Sequence, residues 1–188
     1  MQNRITELAG KVAVFDLDGT LVETDAANSA AYRAALRIYG KGELADVRGR
    51  ITSRVVRAAL GNVSSLDMDE IVRAKADAYV RELWRTRLGP AASALRRVLR
   101  NRAAFAKIVL LTDSTERRAH ETLRFHRLDT CFDEIVCNGG VGDKYANYFT
   151  NFDTDPATSV VWENEQCMAR SAIAAGVRLE NINLRKAG

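Results

Sequence analysis

Residues 11–22 read KVAVFDLDGTLV. The run Lys11 to Phe15 is short and apolar and stops abruptly at Asp16, the pattern of a strand buried on both faces of a sheet. Directly after it comes Asp16-Leu17-Asp18-Gly19-Thr20, with two carboxylates two residues apart and a glycine that loosens the turn. Lys107 to Leu111 (KIVLL) repeats the pattern and ends at Thr112. Glu134 to Cys137 (EIVC) and Ser159 to Trp162 (SVVW) end beside polar clusters, and Val177 to Leu184 supplies a last strand. Helical spacing falls between these runs, notably at Ser114 to Phe125 and Gln166 to Ala175. Strand alternating with helix predicts an α/β core with a doubly wound parallel sheet, in which ligands sit at the carboxyl ends of the strands.

From about Asp25 to Trp84 no strand-like run occurs, but apolar residues recur at helical spacing, as in Ala31, Ala34, Ala35 and Ile38, then Val55, Val56, Ala59 and Leu60. This predicts an inserted all-helical cap over residues 23–87, with the core formed by residues 1–22 and 88–188. The hinges are placed at Val22 to Thr24 and Arg87 to Gly89. Gly89-Pro90 punctuates the return, its proline suited to the first turn of a helix over Ala91 to Leu99. Tyr79 and Trp84 are read as helix packing ahead of substrate stacking.

Composition sets bounds on function. A chain of 188 residues with 47% apolar and 28% charged residues has enough to build a sizeable core and does not read as disordered. No run approaches the ~20 apolar residues of a membrane span, and Glu7 breaks the N-terminal stretch, so neither membrane nor secretion is expected. Cys131, Cys137 and Cys167 are odd in number with no close pairing, which argues against a disulfide framework or zinc site and suits a reducing cytoplasm. The net charge of +4 favours an anionic ligand; the excess is modest, and a nucleic-acid partner is not expected.

Phosphate esters resist attack because the nucleophile meets negative charge, so an enzyme must supply a positioned nucleophile, a proton for the leaving oxygen and cations. Asp16 can attack in line and form an aspartyl-phosphate, and Asp18 can give and take the proton. Two close carboxylates call for a cation between them, and magnesium prefers oxygen ligands. On the pentapeptide alone, a polar turn punctuated by Asp18-Gly19 explains the residues equally well.

Further motifs follow in order. VAVFDLDGTLV resembles the first signature of the haloacid dehalogenase-like hydrolases; Thr112 in IVLLTDS resembles the second, Lys144 in NGGVGDKYANYF the third, and VVWENEQCMARSAIAAG the acidic cluster and Ala-Gly-terminated helix of the fourth. The likeness spans Lys11 to Gly176 and points to the C1-capped phosphatase and phosphoglucomutase branch, with a Rossmann-like core. It implies Asp16 as nucleophile, Asp18 as acid and base, Thr112 on the phosphoryl oxygens and Lys144 as the neutralising cation. Gly19, Thr20 and Asp113 would flank the phosphoryl group. Magnesium would be held by Asp16, Asp18, Glu163 and Asn164. The simpler readings are a strand-end hydroxyl for Thr112, a solvated lysine for Lys144, and surface charges for Glu163 and Glu165. Lys107 precedes its strand and competes poorly with Lys144.

Two departures stand out. Asn164 occupies the place of the usual aspartate ligand, and an amide brings no charge; Glu163 or Glu165 would have to compensate. Tyr145 occupies the place of the usual proline, and no chemistry is expected to depend on it. In the cap, Arg48, Arg50 and Arg54 are candidates to hold a substrate anion, Arg54 foremost, or are solubilising charges. The implied function is a magnesium-dependent phosphatase of a small phosphorylated metabolite, Asp18 favouring an ester whose leaving oxygen needs a proton. A sugar phosphomutase and a non-catalytic binding protein are the alternatives, and substrate identity and oligomeric state stay open.

Overall fold

The computed structural model describes residues 10–46, 49, 51–60 and 65–184. The chain divides into two compact units, one from residues 1–23 and 88–188, the other from residues 24–87.

The first unit is built on five parallel strands: β1 (Lys11–Phe15), β4 (Phe105–Thr112), β5 (Glu134–Cys137), β6 (Ser159–Glu163) and β7 (Ile182–Leu184), in the order β5-β4-β1-β6-β7. Helices α5 (Ala92–Arg100), α6 (Glu116–Phe125), α7 (Lys144–Asn151) and α8 (Gln166–Ala174) connect them. Because side chains alternate across a strand, each central strand feeds two cores. Ala13 and Phe15, Ile108 and Leu110, and Val160 and Trp162 face α5 and α6, where Leu95, Val98, Ala119 and Leu123 close the layer. Val12 and Val14, Val109 and Leu111, and Val161 face the opposite layer with Tyr145, Tyr148 and Ala172. Phe15 and Trp162 stack in register across β1 and β6, ring centroids 4.2 Å apart. The α/β doubly wound reading therefore holds. β1 lies at the centre, and the chain winds to β4 and β5 on one side of it and to β6 and β7 on the other. The crevice at such a switch point opens at the carboxyl end of β1, which is where Asp16 stands.

The structure differs from the sequence reading in several details, among them that the last strand covers only Ile182–Leu184, with a 3₁₀ turn over Leu179–Asn181 where a strand from Val177 was expected. β4 begins at Phe105, two residues before the expected run, and α7 is a helix that no apolar periodicity announces. Asp143 starts α7 by accepting the N–H groups of Tyr145 and Ala146.

The second unit contains α1 (Asp25–Ile38), α2 (Gly42–Ala45), α3 (Ser53–Leu60) and α4 (Ser65–Arg81). Tyr32, Leu36, Ile51, Val56, Met68 and Ile71 form one core cluster there, and Ala27, Ala31, Ala78, Tyr79 and Leu83 another. Tyr79 is packing, as read, and the Lys75 ammonium lies 5.1 and 5.4 Å from the ring centroids of Tyr32 and Tyr79. Trp84 is instead 64% exposed, with the Arg85 guanidinium 4.1 Å from its ring centroid, because it lies in a 3₁₀ turn beyond α4. At the crossings, β2 (Val22–Glu23) and β3 (Arg87–Leu88) pair as a two-stranded ribbon. Among the described residues no helix is long and apolar enough to cross a membrane.

Candidate active site

Three strand ends meet at Asp16. The central strand delivers Asp16 itself, β4 ends at Thr112, and β6 ends at Glu163 with Asn164 next in the chain. After Asp16 the chain turns tightly: Gly19 N–H donates to the Val22 carbonyl at 2.7 Å and Leu21 N–H to the Leu17 carbonyl at 3.0 Å. Gly19 has φ of 76°, and a Cβ there would stand 2.2 Å from Asn164 Nδ2, so glycine is required both by the backbone and by the side chain lying over it. Gly89 fits as closely on the other side of the turn: a Cβ there would stand 2.4 Å from the Thr20 carbonyl oxygen.

Asp16 is 5% exposed and both its oxygens are held. Lys144 Nζ donates to Oδ1 at 2.7 Å, and Thr20 Oγ1 donates to Oδ2 at 2.9 Å. The Thr20 oxygen is also 3.1 Å from Asn164 Oδ1. A hydroxyl has one proton, so it serves Asp16 or Asn164 at any instant and ties both to one point.

Lys144 is not a solvated lysine. It is 2% exposed and bridges two carboxylates, with its second bond to Glu163 Oε2 at 3.0 Å. Burial by itself lowers its pKa, but Asp16 and Glu163 overcome this and raise it, so the ammonium stays charged. Burial pushes the Asp16 carboxyl up to about 7 against the pull of Lys144, with Glu163 and Asp18 adding to the rise.

Glu163, 1% exposed, is not a surface charge. Its Oε1 accepts the N–H groups of Asn164 and Glu165 at 2.9 and 3.2 Å, and its Oε2 accepts Lys144 and the Tyr145 hydroxyl, the latter at 2.9 Å. With these bonds in place it serves Lys144 and the start of α8. The Asp18 side chain is likewise occupied: Ser114 Oγ donates to Oδ2 and Arg118 Nη2 to Oδ1, each at 2.5 Å. Neither Ser114, Arg118 nor Tyr145 was among the expected site residues. Ser114 lies before α6, whose N-cap is Thr115, and Arg118 lies in its first turn, so no helical spacing links the two in the sequence.

Thr112 is buried, and its Oγ1 accepts the Ser114 N–H at 3.1 Å, which shapes the loop while keeping the hydroxyl proton to donate. Asp113 turns elsewhere; it is exposed and accepts from Asn138 Nδ2 at 2.7 Å. Arg48 and Arg50 lie outside the described residues, as does the side chain of Arg54, whose backbone belongs to α3. The second unit has a cleft of about 570 Å³, lined by Asp25, Ser29, Arg33, Arg37, Glu82 and Arg85 among others. Its arginines are engaged locally, Arg33 with the Ala45 and Gly49 carbonyls, Arg37 with Asp46 and Arg85 with Glu82.

The cluster therefore carries three carboxylates, Asp16, Asp18 and Glu163, against two cations, Lys144 and Arg118. Among the described residues no group of three or more His, Cys, Asp or Glu side chains chelates a metal by itself. The donors near Asp16 are all oxygen, and the excess is negative. That suits a hard cation such as magnesium, which binds through one or two carboxylates and keeps water or substrate phosphate as its remaining ligands. Of the side chains anticipated for it, Asp16 and Asn164 are joined through Thr20, Asp18 accepts a hydrogen bond on each oxygen as Asp16 does, and Glu163 accepts two on each.

Comparison with known proteins gives the family. The family model described as haloacid dehalogenase-like hydrolase matches residues 13–179. No curated protein sequence matches significantly. Among solved structures, CbbY from Rhodobacter sphaeroides in complex with phosphate superposes with a TM-score of 0.73 at 21% identity, covering 95% of this chain and 87% of that one. A point mutant of the same CbbY in complex with xylulose-(1,5)bisphosphate gives 0.72 at 20% identity, with the same coverage. A predicted phosphoglycolate phosphatase from Haemophilus somnus gives 0.68 at 16% identity, covering 89% and 83%. At these identities the structures establish the fold, while the match over residues 13–179 establishes membership: the chain belongs to the haloacid dehalogenase-like hydrolases.

Proposed function

We propose that this chain is a magnesium-dependent phosphatase that hydrolyses a small phosphorylated metabolite through a phosphoryl group carried on Asp16. The observation that carries the reading is the buried Asp16 carboxylate at the carboxyl end of the central strand, gripped by Lys144 and Thr20. The Lys144 and Thr20 bonds fix the orientation of this buried carboxylate, and Lys144 favours its ionised form, the form that attacks.

In the first step an Asp16 oxygen attacks phosphorus, the bond from phosphorus to the leaving oxygen breaks, and Asp18 supplies the proton that oxygen requires. In the second, Asp18 takes a proton from water as the water oxygen attacks the same phosphorus, releasing inorganic phosphate and free Asp16. Lys144 offsets charge at the nucleophile, and Thr112 has a hydroxyl proton to offer a phosphoryl oxygen. Ser114 and Arg118 hold the Asp18 carboxylate in place, one on each oxygen. Magnesium, when bound by Asp16 and Asn164, would supply positive charge to the phosphoryl oxygens.

The substrate class is supported by the CbbY structures, one holding phosphate and one a sugar bisphosphate. The phosphomutase reading rests on Arg48, Arg50 and Arg54, and nothing among the described side chains adds to it. Release of inorganic phosphate from a panel of phosphorylated metabolites, with magnesium and with chelator, tests the proposal. Magnesium-dependent release by the wild-type chain and none by Asp16→Asn is the expected result. Interconversion of hexose phosphates without release would replace phosphatase by mutase, and silence across the panel would favour a binding protein.

A further inference from the structure

Tyr145 has no role in the mechanism above, yet its hydroxyl is aimed into the site. The residue is fully buried and packs among Val14, Val109, Leu111 and Val161, so its ring is fixed by the cores of three strands. From there the hydroxyl donates to Glu163 Oε2 at 2.9 Å, the oxygen that also accepts Lys144 Nζ, and Lys144 in turn donates to Asp16. The Lys144 ammonium lies 5.2 Å from the Tyr145 ring centroid. A buried hydroxyl on a carboxylate has no water to fall back on, and a charge-assisted bond of this kind fixes orientation strongly.

We propose that Tyr145 is a positioning residue of this chain: it pins Glu163 in the orientation that keeps Lys144 aimed at Asp16. Glu163 has one oxygen anchored by the backbone N–H groups at the start of α8, and Tyr145 fixes the other. Without the hydroxyl, Oε2 has Lys144 as its remaining partner, and the ammonium gains freedom to turn with it. The inference deepens the proposed function and rests on that reading of the site.

Tyr145→Phe keeps the packing and deletes the bond. Partners that orient a first-contact group typically contribute about 10- to 100-fold, and kcat is expected to fall about tenfold with KM for the phosphate ester unchanged and the melting temperature close to wild type. The decisive control is the double mutant. If Tyr145 acts through Glu163, then in the Glu163→Gln background Tyr145→Phe costs nothing further. A kcat within twofold of wild type for Tyr145→Phe, or equal losses in both backgrounds, overturns the inference. Should the wild-type chain turn over no ester, the proposed function fails separately, and labelling decides the inference: the rate at which an amine-reactive acylating reagent modifies Lys144, followed by peptide mass spectrometry, is expected to rise in Tyr145→Phe, and an unchanged rate refutes the pinning.

Discussion

Substituting Gly19 by alanine probes the contact between the nucleophile turn and the fourth motif. At φ of 76° a residue with a Cβ sits in the left-handed region, which costs about 1–2 kcal/mol. The new Cβ would stand 2.2 Å from Asn164 Nδ2 and 3.1 Å from its Cγ, so the amide must swing away. That breaks its 3.1 Å contact with Thr20, worth about 1 kcal/mol. The sum, about 2–3 kcal/mol, corresponds to a melting temperature lowered by roughly 4–12 °C for a chain of this size. Thermal unfolding followed by circular dichroism reads the loss, and a magnesium titration of activity reads the displaced amide as a higher midpoint. In an Asn164→Ala background the same substitution should cost the backbone penalty alone, about 1–2 kcal/mol. A Gly19→Ala protein that melts with the wild type, or costs as much with Asn164 removed, would refute the contact.

Asn164→Asp adds one negative charge to a cluster already carrying three carboxylates and two cations. Attraction between unit charges 4 Å apart is about 4 kcal/mol at an effective dielectric of ~20; crowding against Asp16 offsets most of it, so the magnesium midpoint should drop about tenfold, checked by titrating activity against magnesium. Arg118→Met removes the guanidinium from Asp18 and leaves the bond from Ser114; the rate on an alkyl phosphate should fall about tenfold or more, while an aryl phosphate with a good leaving group is little affected, because positioned acid–base help matters most for poor leaving groups. Burial lifts the Asp16 carboxyl from 3.8 to about 7, so between those values the folded chain holds a proton that the unfolded chain has released. This group's contribution to stability therefore falls as pH rises through that window. Without metal, Asp16→Asn should melt higher than wild type at pH 8, and the gap should close near pH 4; a gap independent of pH would contradict the shift.

The sheet was legible because strands buried on both faces leave continuous apolar runs, as β1, β4 and β6 do, and the half-buried edge strand β5 still carries a short one. Thr112 and Glu163 were expected from the motif resemblance, and the observed order β4-β1-β6 puts them at the carboxyl ends of the strands flanking Asp16. What stayed hidden depends on pairs distant in sequence. Asp18 meets Ser114 and Arg118 across 96 and 100 residues, and no local pattern marks either partner. The hydrogen-bond partners of Glu163 were hidden as well, because an acidic residue after a strand says nothing about which donors surround it; its oxygens accept from the backbone N–H groups at the start of α8, from Lys144 and from Tyr145. Tyr145 read as inert because helix α7, which carries it, shows no clear apolar period, and its burial became visible only with the fold.

The phosphatase mechanism stands or falls on whether Asp16 carries the phosphoryl group. The most direct measurement is rapid mixing with a hydrolysable phosphate ester, acid quench within the first turnover, and mass spectrometry of the digested chain. One phosphoryl mass on the peptide that contains Asp16, sensitive to hydroxylamine and absent from Asp16→Asn, is the predicted result. Hydrolysis at full rate with that peptide unmodified at every quench time, or unimpaired turnover by Asp16→Asn, would contradict it.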